Sequence, residues 1–133
     1  RHPGKEVNFL ELVKVEGFEH IYQIDRFEKE FTDIADGDIT RYKKWLIRSL
    51  ETLESMGMEA LKLENFEVVS KDNPKIYSIR YPHSKLNPRV LYIYVDQDGV
   101  CLLTAFKESS KNRSSDYEHA ISRARARLQY VLD

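Results

Sequence analysis

Apolar residues crowd the second half of the chain into two runs, Val90 to Val95 and Val100 to Phe106, both rich in β-branched and aromatic side chains. Between them stand Asp96, Gln97, Asp98 and Gly99, a turn composition that predicts a hairpin. Nearly every position of both runs is apolar, so each predicted strand must be covered on both faces, and helices are expected nearby.

The helical period appears upstream. Phe27, Phe31 and Ile34 recur at helical spacing between Asp25 and Ile34, with Asp36, Gly37 and Asp38 as punctuation. Asp38 is then a suitable N-cap for a longer stripe of Ile39, Tyr42, Trp45, Leu46, Leu50, Leu53 and Met56, which Gly57 ends. Ser115 and Glu118 have capping-box spacing for a last helix with Tyr117, Ala120, Ile121, Ala124, Leu128 and Val131 on one side and Arg123 and Arg127 on the other.

Shorter signals fill the gaps. Phe9 to Val15 and Phe18 to Ile24 predict a small N-terminal hairpin or an irregular strand, broken at Glu16 and Gly17. Phe66 to Val69 and Ile76 to Tyr81 predict two more strands around the turn residues Lys71, Asp72, Asn73 and Pro74. In the second of these, Ile76, Ser78 and Arg80 share one face and Tyr77, Ile79 and Tyr81 the other. The resulting order predicts an α+β fold: an N-terminal strand and helical hairpin, a curved antiparallel sheet of three to four strands, and a C-terminal helix.

Length changes little in this picture, since 133 residues suit one domain spanning the chain, with Arg1 to Gly4 read as a processed or added end. Charge changes more. Lys plus Arg number 21 against 22 Asp plus Glu, so no bulk basicity points to nucleic acid, yet residues 75 to 127 gather most of the arginines. Cys101 is the only cysteine and sits in an apolar run, which excludes a disulfide scaffold and a thiolate metal site. No run approaches the roughly 20 apolar residues of a membrane span, so a cytoplasmic protein without membrane association is expected.

Candidate chemistry narrows by elimination. His2, His20, His83 and His119 are scattered without metal-ligand spacing, no nucleophile turn surrounds a serine, and no glycine-rich phosphate loop is present. Cations at the ends of predicted strands remain: Arg80, Arg89 and Lys107, followed by Lys111 and Arg113. Arg80 ends one strand of a meander and Arg89 begins the next, so the two should be neighbours, and such a cluster suits a phosphate. Taken alone, each cation is better read as a solvated strand-end charge.

Residues 61 to 131 resemble the RelE/ParE toxin superfamily, in its HigB-like, phage-derived branch. Ile76-Tyr77-Ser78-Ile79-Arg80 follows the family's "lyElR", and Pro88-Arg89-Val90-Leu91-Tyr92 its "yRvlY". Asp98-Gly99-Val100-Cys101-Leu102-Leu103-Thr104-Ala105-Phe106-Lys107 follows "dg.i.LLhaF.K", and Ala120 with Arg123 to Arg127 follows "A..R".

The resemblance implies a toxin of a toxin–antitoxin pair that cuts mRNA on the ribosome without a metal or other cofactor. The ribose 2′-hydroxyl would attack the adjacent phosphate. Implied partners are a cognate antitoxin, mRNA and the ribosome, with no DNA contact by the toxin itself. Carried over by motif, Arg89 is the phosphate arginine, Lys107 the cation after the last strand and Arg80 a phosphate or structural arginine. Lys111, Arg113, Lys85 and His83 are the expected RNA contacts. The family's second lysine after the phenylalanine is here Glu108, a potential base. Tyr117 and His83 stand nearest to the proton carrier of some relatives, although Tyr117 also fits the core stripe of the last helix. Alternatives on the same fold are a non-catalytic, ParE-like gyrase inhibitor and an inactive mobile-element remnant.

Overall fold

The computed structural model describes residues 12–81, 84–97, 99–109, 111, 113–129 and 131. Two short strands open it, β1 (Leu12–Lys14) and β2 (Ile21–Ile24), paired antiparallel as the expected hairpin. The part of the first apolar run at Phe9 to Glu11 lies outside the described residues. Helices α1 (Phe27–Ile34) and α2 (Ile39–Met56) follow, then a 3-10 turn over Gly57–Lys62. Gly57 takes φ 55 where α2 stops, a backbone that glycine adopts without penalty. Asp38 occupies the predicted N-cap position, but its side chain makes no capping hydrogen bond.

The chain then runs through β3 (Phe66–Ser70), β4 (Ile76–Arg80), β5 (Pro88–Tyr94) and β6 (Val100–Lys107) and ends in α3 (Arg113–Leu128). In the β5–β6 turn a Cβ on Gly99 would lie 2.8 Å from Val95 Cγ2, and the Gly99 amide donates to Asp96 Oδ1 at 2.6 Å. A side chain at this position would require Val95 and Asp96 to shift.

The fold is α+β, but the sheet is larger than the expected three to four strands. Six strands lie in the order β1-β2-β6-β5-β4-β3, and the sheet is mixed, because β2 runs parallel to β6 while its other pairs are antiparallel. A parallel partner needs a long crossover, and here both N-terminal helices and three strands intervene between the two. That pairing is set by no local signal.

Each face of the sheet carries its own core. Phe27, Phe31, Trp45, Leu50 and Leu53 of α1 and α2 close over Tyr77, Ile79, Val90, Tyr92 and Leu102. On the other face Ala120, Ala124 and Leu128 of α3 cover Ile76, Leu91, Ile93, Cys101, Leu103 and Phe106. The consecutive apolar positions of β5 and β6 are explained by this double covering. β2 pairs only with Ile21↔Val100 to Gln23↔Leu102, and beyond it α1 packs against β6, from where Glu30 reaches Thr104 at 2.8 Å.

Two sequence expectations for α3 need correction. The helix begins at Arg113, so Ser115 lies within its first turn instead of capping it, and Asp116 accepts from the Ser109 amide and hydroxyl, each at 2.9 Å. Nor does Arg127 point away from the core. It is buried, pairs with Glu30 and donates to the carbonyl of Leu103, the residue skipped where the β5–β6 register shifts, at 2.7 Å. Among the described residues no helix is long and apolar enough to cross a membrane.

Candidate functional site

At the end of the sheet where β4 finishes and β5 starts, Arg80 and Arg89 are cross-strand partners. Strand alternation turns both toward the α3 face, since Ile76 and Leu91 on the same sides of their strands belong to that core. Like charges in this position repel unless acids intervene, and two do. Glu67 of β3 lies 3.7 Å from Arg80 Nε, and Glu108, just past β6, lies 3.3 Å from Arg89 Nη2.

Arg89 is only 2% exposed and Glu108 side chain 8%. The guanidinium donates from Nε to the Tyr117 hydroxyl at 2.9 Å, and from Nη1 to Asn87 Oδ1 at 2.8 Å and the Pro88 carbonyl at 3.2 Å. Asn87 can serve because its φ of 55 is a left-handed conformation that asparagine tolerates, and its own carbonyl accepts from the Glu108 amide at 3.1 Å. Arg113, the first residue of α3, brings Nε to 3.6 Å from Glu108 Oε1, an oxygen without a hydrogen bond. Arg80 Nε also lacks one.

Tyr117 joins core and cluster. Its ring meets Phe106 edge to face with centroids 5.1 Å apart, while its hydroxyl accepts from Arg89. Burial pushes the phenol up from its ordinary pKa, Arg89 opposes this, and Glu108 and Glu67 add to the rise. The net shift is upward, so the hydroxyl keeps its proton at neutral pH.

The sequence-predicted residues divide accordingly. Arg80 and Arg89 are brought together, and Arg113 joins them through Glu108. Lys107 is exposed, and because Phe106 faces α3, the next side chain falls on the opposite side of the strand. Lys85 and Lys111 are exposed on loops, and His83 lies outside the described residues. Lys85 sits in a segment fastened to α2, where the Leu86 amide donates to the Tyr42 hydroxyl at 3.0 Å.

Asn87 and Glu67 escaped the sequence reading, although an asparagine before a proline and an acid on a strand beside Arg80's strand were available signals. The other C-terminal arginines act as tethers. Arg123 donates to Thr104 at 2.8 Å, and Arg125 holds the β3–β4 turn through Ser70, Asp72 and Pro74. Cys101 is fully buried with its thiol pushed up to about 12, so it is neither a nucleophile nor a ready metal ligand at neutral pH.

Among the described residues no three His, Cys, Asp or Glu side chains gather as a metal site requires. The cluster at the sheet end presents guanidinium, phenol and carboxylate groups. Comparison of the chain with family models, with curated proteins and with solved structures finds no match.

Proposed function

We propose that the protein is a HigB-like toxin of the RelE/ParE superfamily, a cytoplasmic, ribosome-dependent mRNA endonuclease held in check by a cognate antitoxin. The observation that carries this reading is the convergence of Arg80, Arg89, Glu108 and Tyr117 at one sheet end, with Arg89 Nε 2.9 Å from the Tyr117 hydroxyl. Arg80 and Arg89 belong to the motifs that suggested the family, Glu108 stands where those motifs carry a lysine, and the α+β order of elements is compatible with its fold.

In the proposed reaction the ribose 2′-oxygen bonds to phosphorus as the bond from phosphorus to the 5′-oxygen breaks, leaving a cyclic phosphate and a 5′-hydroxyl. Glu108, whose Oε1 is buried without a hydrogen bond and is uncovered when the exposed Arg113 moves onto the phosphate, takes the 2′-proton, and the neutral Tyr117 gives its proton to the leaving oxygen. Arg80 and Arg113, the more exposed guanidiniums, counter charge on the phosphoryl oxygens. Buried Arg89 positions Tyr117 and Glu108 instead of meeting the phosphate directly. This differs from the role implied by its motif.

The test is to map transcript ends after adding purified protein to translating ribosomes. Cuts by the wild type are expected, falling about 100-fold or more for Tyr117→Phe, the usual worth of a general acid. Intact transcripts with the folded wild type sink the reading. One observation favours a rival: Arg89 and Glu108 Oε2 already form a buried ion pair, as two structural residues would. On that reading a non-catalytic member of the fold works through protein contacts, such as gyrase inhibition, and induction produces DNA-damage signalling with transcripts uncut.

A further inference from the structure

On the opposite side of the same sheet end lies an open groove of about 810 Å³, walled by α2, the segment before β3 and Tyr81. Arg41, Lys44 and Arg48 line it at successive turns of one helix face, all exposed, and none is within ion-pair distance of a carboxylate among the described residues. Asp38 and Glu64 also line it, so three cations face two acids and the excess is one positive charge.

The wall between these cations is aromatic. Trp45 stacks on Tyr81 with centroids 5.3 Å apart, and the Arg41 guanidinium carbon lies 6.0 Å from the Tyr81 ring centre. Trp45 is 9% exposed, and its Nε1 is buried without a hydrogen-bond partner. Arg41 is engaged by Tyr81, whereas Lys44 and Arg48 line the groove with no carboxylate partner among the described residues. Interleaved cations and aromatic rings along one groove are the makings of a single-strand nucleic-acid site.

We infer that this groove is a subsite for single-stranded RNA, in which Arg41, Lys44 and Arg48 take successive backbone phosphates and Trp45 with Tyr81 forms the wall that a base or sugar packs against. The inference deepens the proposed function and rests on it for the choice of RNA. Tyr81 follows Arg80 directly in the chain, and Arg80 donates its amide to Asn65, another groove residue, at 2.8 Å. A strand lying in the groove therefore passes around the sheet end to the Arg80–Tyr117 cluster. With a cationic excess of one, the subsite orients a strand instead of binding it tightly.

Trp45 is the chain's only tryptophan, so its emission reports on the groove. The full-length protein is titrated with a short single-stranded oligoribonucleotide carrying 2′-O-methyl sugars, which cannot be cut. A saturable change in emission is expected, and its affinity should fall about twentyfold between about 50 and about 200 mM salt if about three phosphates are neutralised. The double substitution Arg41→Glu with Arg48→Glu, both on an exposed helix face, should weaken binding at least tenfold with an unchanged circular dichroism spectrum.

An oligonucleotide that leaves the emission unchanged overturns the subsite, even if transcripts are cut by the wild type. So does inorganic phosphate that saturates the same change as tightly as the oligonucleotide. A groove that responds in a protein that cuts no transcript keeps the subsite and removes the endonuclease.

Discussion

On the α2 face of the sheet, Phe31, Trp45, Leu50 and Leu53 close on Tyr77, Ile79 and Tyr92 without one charged side chain in the cluster. The α3 face buries Arg89 and Arg127 beneath its helix. The contrast lies in where the cations go. Arg41, Lys44 and Arg48 stay outside the apolar face and line a groove, whereas each arginine inside the polar face is matched to an acceptor. A buried guanidinium survives only when its donors are occupied, so the α3 face is specified by pairing and the α2 face by shape.

Glu30 shows how far the pairing goes. Burial would raise its carboxyl, but hydrogen bonds from Arg127 and Thr104 and the charges of Arg127 and Arg123 outweigh it, and the pKa ends below the ordinary value. The carboxylate thus joins α1 to β6 and α3. Two ion pairs, Glu30 with Arg127 and, at 3.9 Å, Glu30 with Arg123, cross from α1 to α3.

The largest effect on stability is expected from the apolar face. Leu53→Ala removes a fully buried side chain and should cost about 3 kcal/mol in urea unfolding, the usual loss for a core leucine. Arg127→Ala should cost about 2 kcal/mol, below the full penalty for breaking a buried pair because Glu30 is partly exposed. Adding Glu30→Gln should recover part of that loss, and strict additivity would show that the two faces do not differ in the way described.

The next effect is on pH dependence. The folded carboxyl of Glu30 titrates below its unfolded value, so its stabilisation is complete above the unfolded pKa and disappears as pH falls through the folded one. Unfolding midpoints followed into acid should fall for the wild type, and Arg127→Ala should flatten that slope. An equally steep slope in the variant would place the acid sensitivity elsewhere. Tyr117→Phe should cost about 1 kcal/mol, for the loss of one hydrogen bond with the ring contact to Phe106 kept. The smallest effect belongs to Arg48→Ala on the groove, within about 0.5 kcal/mol, as for most exposed positions. A larger loss would mean that the groove cations support the fold.

Much of this molecule was legible along the chain. The stripe from Ile39 to Met56 became α2, the Asp96–Gly99 turn joins β5 to β6, and Arg80 lies beside Arg89 as the meander order required. Tyr117 fits the core stripe in the sequence, and its ring packs on Phe106 while its hydroxyl accepts from Arg89. The functional value of Arg123, Arg125 and Arg127 was not legible. Their clustering read as a locally basic half, but their charge is taken up by Glu30, Thr104, Leu103 and the β3–β4 turn. The groove cations were missed for the converse reason, because on an amphipathic helix they looked like an ordinary solvated face.

Element type follows from sequence here because the periods of 3.6 and 2 residues are properties of neighbouring positions, and each strong run became the element it encoded. The tertiary structure decided which cations are inside. An arginine has the same local signature whether its acceptor is water or a carboxylate far along the chain, and only the parallel docking of β2 on β6, which leaves α1 and Glu30 beside Thr104 and Arg127, supplies that acceptor.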